Sequence, residues 1–469
     1  MKSASRTSWL GMLSAAAVSG ILLFISDYPL HLWPLQALAL IPWFFGLVRF
    51  CRSWAAGLAA GACLGLFYTG PLNFVLQFPL LMGLGLTLYI TFLLALLSMG
   101  VFLVTRWSPV WAALGTGAVA VLVEWVDFSL LPVFGTAQAF VRVWSAGPWT
   151  MQFVALVGPL GLVFVVVVAQ ALLVNLLLRR RGRKAAAVTL VLLLAAVAAY
   201  NAVAWFETPS KKVRVAAIGW TTRNPRLPTD QVFEKHYLPL LRQASESGAG
   251  LVVSPETGFF ISAGEKQRFM SRVFDAARQH GVMLVCGYFN RGNDDNRIMF
   301  ISKEGKLLAE YRKTHLIPGI EDYSAGDGNL AVVPFAGVKL GGMICQDDNF
   351  TDIARAYGRE RVSLVAVPTN DWAQVKNHHF ENSLFRGMEN RYAIVRSATN
   401  GISAVVSARG EVLAKKDHFE KGPGVVVVDV PLYKPGGIYS LAGDWLLVAG
   451  FFLLIIGLLI NRFRSPEVP

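Results

Sequence analysis

A chain of 469 residues is long enough for two domains, and its composition divides it unevenly between them. Hydrophobic residues make up 54% and charged residues only 16%, against about 25% charged in an ordinary soluble domain, which excludes a wholly water-facing protein. The net charge of +13 does not point to nucleic acid: residues 207–440 hold 30 Lys and Arg against 25 Asp and Glu, the remainder 13 against 5, and no basic stripe interleaved with aromatics accompanies them.

Eight stretches are apolar over roughly the 20 residues that a bilayer-spanning helix needs: 9–25, 32–48, 54–76, 80–105, 109–126, 150–178, 185–205 and 445–461. Between 54 and 105 the chain is apolar almost throughout, and Pro71 with Asn73 is the expected break. The first stretch follows Lys2 and Arg6 and contains the small residues Ala15 to Ala17, as a cleaved signal peptide would. Further spans follow at once, so a retained span is expected. With a cytoplasmic N-terminus the even-numbered loops are basic, carrying Arg49 and Arg52, then Arg106, then Arg179, Arg180, Arg181, Arg183 and Lys184. Arg462 and Arg464 follow the last span. The opposite loops hold Asp27, Asp127 and Arg142, so 12 of the 13 basic residues outside 207–440 fall on one side. This predicts a bundle of about seven spans at 1–206, an outward-facing domain at 207–440, and a final span with a short cytoplasmic tail at 441–469.

The outer domain reads as alternating strands and helices. Strands are expected at Val213–Ile218, Leu251–Ser254, Val282–Tyr288, 297–301, 306–310, Val338–Cys345, Leu364–Pro368, Ala393–Ser397, Ile402–Ser407 and Val425–Val430. Helices are expected near 229–247, 265–279, 350–358 and 378–391. The pattern predicts a layered α/β sandwich.

Four cysteines, Cys51, Cys63, Cys286 and Cys345, form no CxxC pair and no Cys/His spacing suited to zinc, so neither a disulfide framework nor a metal is expected. One chemically active cysteine is compatible with the pattern. Three segments place an ionisable residue at the end of a predicted strand, where ligand sites gather in α/β folds. They are Val252-Val253-Ser254-Pro255-Glu256, Tyr311-Arg312-Lys313-Thr314-His315-Leu316 with Pro318 and Glu321 beyond, and Gly341-Gly342-Met343-Ile344-Cys345-Gln346-Asp347. Taken singly, a cysteine ending an apolar strand is a packed core residue, and a lysine in a polar loop is a solvated charge. Together they suit acyl transfer. A carboxylate takes the thiol proton, an ammonium favours the thiolate and the oxyanion, and the acyl group rests on sulfur as a thioester.

These motifs resemble those of the apolipoprotein N-acyltransferases, a membrane branch of the nitrilase (carbon–nitrogen hydrolase) superfamily. The Pro255-Glu256 segment, the Lys313-x-His315-Leu316-x-Pro318 segment and the Ile344-Cys345 segment occur in that family's order. Thr369-Asn370-Asp371-Trp372 resembles its Ser-Asn-Asp-Ala-Trp loop, and Arg386 to Val406 is similar throughout. The resemblance implies an αββα sandwich outside the membrane, with Glu256 as general base, Lys313 as the oxyanion-side cation and Cys345 as nucleophile. Glu321 and Asp347 would support them, and His315 and Asn370 would shape the site. It also implies a phospholipid acyl donor, a diacylated lipoprotein acceptor, no cofactor, a monomer, and a place in the bacterial inner membrane with the catalytic domain periplasmic. Loops 220–230 and 317–329 are expected to act as lips over the pocket. Six positions depart from the family pattern: Ser254 stands for Trp, Gln346-Asp347 for Tyr-Glu, Ile218-Gly219-Trp220 for Gln-Gly-Asn, and Arg312 replaces an acidic residue. These leave open a membrane-tethered amidase or a non-catalytic lipoprotein-binding relative. A transporter would need ionisable residues deep in the spans, and few are present.

Overall fold

The computed structural model describes residues 2–220 and 228–462, which separate into two units. The first comprises the chain up to Pro132, Gln138–Ala204 and the segment from Ala442 onward. Its helices Ser8–Asp27, Trp33–Phe50, Trp54–Val75, Leu80–Val104, Pro109–Leu130, Val154–Leu177 and Arg183–Trp205 are long and apolar enough to cross a membrane, and a shorter apolar helix spans Trp445–Asn461. This is a multi-span membrane protein. Arg464 lies outside the described residues.

The break between the third and fourth helices falls later than Pro71. The Trp54–Val75 helix runs through that proline, and the chain turns at Leu76 to Pro79, where Gln77 has φ +56. A proline inside an apolar helix loses one backbone bond but is tolerated where neighbouring helices pack round it. Asn73 stays inside the helix and donates to Thr87 Oγ1 at 3.0 Å. The charges of Asp27, Asp127 and Arg142 between spans are buried rather than solvated. Arg142 and Asp27 form a buried ion pair, and Glu124 and Asp127 are buried beside Tyr68 and Gln138 round a cavity of about 20 Å³, room for roughly one water.

The second unit, Val133–Ala137 with Trp205–Leu441, holds two sheets. The strands are β1 (Lys211–Gly219), β2 (Leu251–Val253), β3 (Phe260–Ile261), β4 (Met283–Asn290), β5 (Asp295–Ile301), β6 (Leu307–Arg312), β7 (Val332–Phe335), β8 (Val338–Gly342), β9 (Leu364–Asn370), β10 (Ala393–Thr399), β11 (Ile402–Val406), β12 (Val412–Asp417) and β13 (Gly424–Leu432). One sheet runs β13-β1-β2-β4-β5-β6, with β3 added on β4; the other runs β12-β11-β10-β9-β8-β7. The central strands β1, β2 and β4 are parallel, as are β8, β9 and β10. Parallel strands need cover on both faces, which explains their near-continuous Val, Ile, Leu and Ala runs.

Helices Leu238–Glu246 and Lys266–His280 cover the first sheet. Ala216, Ile218, Val252, Leu284, Cys286 and Tyr288 meet Phe233, Leu241, Phe269 and Val273 in one apolar core. Cys286 therefore points into packing, and burial pushes its thiol up to about 12, which makes it inert. Helices Thr351–Arg359 and Lys376–Asn390 belong to the second sheet's side of the αββα sandwich. The strand expected to run to Cys345 stops at Gly342, and Cys345 instead opens a tight 3-10 turn to Asn349.

Candidate active site

Each of the three motif residues leaves the end of a strand. Glu256 follows β2, in a turn that packs against β4 at Gly287; a Cβ there would lie 2.1 Å from the Pro255 carbonyl oxygen, so glycine lets the two segments meet. Thr399 Oγ1 donates to the Glu256 carbonyl at 3.3 Å and fixes the turn from β10. Lys313 follows β6 directly; its backbone N–H donates to Asn296 O at 2.9 Å and its carbonyl accepts from Gly326 N at 2.7 Å. Cys345 comes from the other sheet, after β8. Its φ is +47, a left-handed conformation costly for any residue with a Cβ and kept only where the surroundings impose it.

The structure brings all three together. Lys313 Nζ lies 2.9 Å from Glu256 Oε1 and 2.7 Å from Glu321 Oε1, and all three groups are close enough to the Cys345 thiol to act on it electrostatically. Cys345 Sγ also sits 3.9 Å from the backbone oxygen of Asn370. Asn296 Nδ2 donates to the same Glu256 oxygen at 2.7 Å and to Tyr323 OH at 3.2 Å, and that hydroxyl donates to Glu321 Oε1 at 2.8 Å. Lys313 is fully buried and Glu256 nearly so.

Burial pushes the Glu256 carboxyl above its usual range, with Lys313 opposing, which makes it a stronger base. Burial pulls the Lys313 ammonium down, but neighbouring negative charge outweighs it, that of the Cys345 sulfur once it ionises and of Glu256 and Glu321, so its pKa lies well above the ordinary value. The thiol departs from the expectation that lysine would lower it. Burial and then the neighbouring carboxylate raise Cys345 well above its usual value, and Lys313 only partly offsets them. The resting sulfur is a neutral thiol, and its proton must leave as the sulfur attacks.

The supporting residues hold positions rather than react. Asp347 is fully buried and clamps the two loops together: Oδ1 accepts from Thr314 N (3.1 Å) and His315 N (2.7 Å), and Oδ2 from Tyr311 OH (2.8 Å) and Ile344 N (3.1 Å). His315 stacks on Phe350 at 3.9 Å and bridges Asp347 (3.1 Å) and Asp352 (3.2 Å). Burial lowers it, but those two carboxylates raise it to about 9 and keep it charged. Glu321 Oε2 accepts from Ile317 N at 2.8 Å, and Ser324 N donates to Asp294 O at 2.8 Å, so the expected lip 317–329 is pinned at several points. Most of the other expected lip, 221–227, lies outside the described residues.

Asn370 Oδ1 accepts from Asn400 Nδ2 at 3.2 Å, and among the described residues its side chain makes no other hydrogen bond. Its neighbour Asp371 carries more. His379 Nδ1 lies 2.6 Å from Asp371 Oδ1, and its Nε2 lies 2.9 Å from Asp348 Oδ1 and 3.1 Å from the Cys345 carbonyl. Arg396 donates to Asp348 Oδ2 at 3.1 Å and to Asp371 Oδ2 at 2.9 Å, and its approach to His379 Nδ1 at 3.0 Å is compensated by the two aspartates. Burial would neutralise both aspartates, but His379 and Arg396 hold them below their usual range; the aspartates in turn raise His379 to about 9. Ligand atoms of Cys345, Asp371 and His379 lie within 4.8 Å of one another, close enough to surround a metal. Both imidazole nitrogens face aspartates and Arg396 adds a second cation beside them, so the cluster reads as scaffolding.

Known proteins resemble the chain over the unit that holds these residues. The sequence pattern of the carbon–nitrogen hydrolase family matches residues 214–434. An apolipoprotein N-acyltransferase of Geobacter metallireducens is 26% identical over 247 residues, 46% of this chain and 47% of that protein; one from Treponema pallidum is 35% identical over 142 residues, 28% and 26%. A nitrilase of Pyrococcus abyssi is 27% identical over 246 residues, 46% of this chain and 91% of its own length. The aligned stretch thus spans less than half the length of the N-acyltransferases cited. Among solved structures, an amidase from Nesterenkonia sp. aligns at 24% identity and a TM-score of 0.44, covering 51% of this chain and 96% of its own. Residues 214–434 match the carbon–nitrogen hydrolase family, and the chain, whose other unit carries helices long and apolar enough to span a membrane, is similar over less than half of its length to apolipoprotein N-acyltransferases.

Proposed function

We propose that this protein is an apolipoprotein N-acyltransferase that moves a fatty acyl group from a phospholipid, through a thioester on Cys345, to the N-terminal amine of a diacylglyceryl-cysteine lipoprotein. The observation that carries the reading is the meeting of Glu256, Lys313 and Cys345 in one buried site, in a chain whose other unit is a bundle of apolar helices. Glu256 takes the thiol proton as sulfur attacks the ester carbonyl, and Lys313 steadies the oxyanion. Collapse of the intermediate breaks the carbon–oxygen bond, and Glu256 returns the proton to the departing lysophospholipid. The lipoprotein amine then attacks the thioester, loses a proton to Glu256, and leaves as an amide while the thiol is restored.

A soluble amidase has no use for such helices, whereas drawing an acyl chain into water costs about 0.8 kcal/mol per methylene. An α-amine, with a reference pKa of about 7.7–8.0, is partly neutral and nucleophilic near neutral pH. The one-sided basic loops support cytoplasmic termini and a periplasmic catalytic domain in the inner membrane, with 1–206, 207–440 and 441–469 as the three parts and a monomer as the working unit.

Intact-mass spectrometry after exposure to phospholipid tests the first step: an acyl-sized increase is expected, and Cys345→Ala must lack it. A diacylated lipopeptide should then remove the adduct and gain the acyl group. If the enzyme makes no transfer product and instead releases ammonia and free acid from amides, the protein is a membrane-tethered amidase. An unmodified enzyme, or an adduct that persists in Cys345→Ala, would sink the mechanism.

A further inference from the structure

The family match covers 214–434, yet the unit that holds Cys345 also contains Val133–Ala137, distant in sequence, from the connection after the Pro109–Leu130 helix. Gly135 in that stretch has φ +54, and a Cβ on it would lie 2.3 Å from the backbone oxygen of Asn349. Only glycine permits both the conformation and the approach. Next to it Thr136 is buried, and its hydroxyl donates to the same Asn349 oxygen at 3.0 Å while accepting from Arg386 Nη2 at 3.2 Å. Arg386 is itself buried and paired with Glu389 at 3.0 Å.

Asn349 closes the turn that Cys345 opens. Its side chain ties the turn together internally: Nδ2 donates to Gln346 Oε1 at 2.7 Å, and Oδ1 accepts from Asn382 Nδ2 at 2.6 Å. At the other end of these five residues sits the left-handed Cys345. A strained residue keeps its conformation only where the surrounding structure holds it, and here both ends of its segment are held. The near end is held by Asp347, which accepts from Ile344 N, and by His379 on the Cys345 carbonyl. The far end is held by Thr136 and Gly135.

We infer that Val133–Ala137 is a positioning segment for the nucleophile, fixing the end of the Cys345–Asn349 turn so that the thiol stays against Glu256. It completes the catalytic unit from outside the stretch matched by the family pattern. Thr136 acts through Asn349 and touches no reacting atom. The inference rests on Cys345 being the nucleophile, and the test separates the two claims.

The experiment uses the full-length protein in phospholipid vesicles, comparing Thr136→Val, which removes the donor at nearly constant volume, with Thr136→Ser, which keeps it. Gly135→Ala provides a stronger perturbation of the same contact. In Thr136→Val, amide exchange across residues 345–350 should rise about tenfold, and the rate of Cys345 acylation should fall by a similar factor, with KM for phospholipid unchanged. Thr136→Ser should restore both. A Thr136→Val protein with wild-type exchange and wild-type acylation overturns the inference, as does equal damage in Thr136→Ser. If exchange responds as stated while even the wild type takes no acyl group, the brace stands and the donor reading falls.

Discussion

Two buried ionic clusters meet at Cys345, one from each side, and they differ in charge balance. Glu256, Lys313 and Glu321 pair two carboxylates with one ammonium and carry a net negative charge. Asp348, Asp371, His379 and Arg396 pair two carboxylates with two cations and are neutral. A buried charge left uncompensated is expensive, so it persists where it does chemistry: the unbalanced carboxylate accepts the thiol proton, and the ammonium stays for the oxyanion. The balanced cluster has nothing to give or take. Its contact with the reacting residue is a hydrogen bond from His379 to the Cys345 backbone, which orients without reacting.

If that contrast is right, damage to the first cluster removes rate and damage to the second removes stability. Glu256→Gln keeps the shape but cannot take a proton. Cys345 acylation should fall about 10²–10⁴-fold while the thermal midpoint changes little. A variant that acylates at the normal rate would remove the distinction altogether. Arg396→Met should do the reverse. It leaves two aspartates facing one imidazolium in a dry core, which costs about 3–5 kcal/mol of stability, while acylation per folded molecule stays within about tenfold. Titrating unfolding against acylation, with both measured on the same preparation, separates the two effects.

The positive charge on the histidines gives the stability a pH signature. His379 and His315 are both raised from 6.5 to about 9 by their aspartates, although burial opposes it. Their stabilisation is complete below pH 6.5 and is lost as pH climbs through 9, with an upper bound of about 3 kcal/mol each. Thermal midpoints measured from pH 6 to 10 should fall along that window, and His315→Gln should remove roughly half of the decline. A midpoint that is flat or rises over this range contradicts the charge assignment of the second cluster.

The sequence made these two clusters unequally visible. Glu256, Lys313 and Cys345 each stand in a short segment of unusual composition, so three local signals could be added. The members of the neutral cluster lie on a turn, a strand end, a helix and a strand, each unremarkable alone. Asp371 and Arg396 sat inside recognised stretches, but nothing local said that they would pair with His379. The strand expected to reach Cys345 could not be told from a turn, because Gly341 to Ile344 is apolar either way; the left-handed backbone that ends it has no mark in a cysteine. Val133–Ala137 read as one more connection between spans. The break at Pro71 failed for the opposite reason, since a strong local signal was overruled by packing within the apolar helices.

The smallest effect worth measuring lies inside the first cluster and concerns which carboxylate oxygen does the work. Lys313 Nζ and Asn296 Nδ2 both donate to Glu256 Oε1, at 2.9 and 2.7 Å, which leaves Oε2 as the oxygen free to receive the thiol proton. Asn296 is thus a positioning residue, buried on β5 and absent from any motif. A donor to the charged form of a carboxylate lowers its pKa, so removing that donor should raise Glu256 further above its usual range. Asn296→Ala should acylate about tenfold more slowly at neutral pH, because less of Glu256 is ionised and its rotamer is looser. The acid limb of the acylation profile should move to higher pH, and the rate should recover as the pH is raised. A uniform loss at every pH would mean that Asn296 merely fills space; an acid limb displaced to lower pH would mean that Asn296 does not stabilise the ionised form of Glu256.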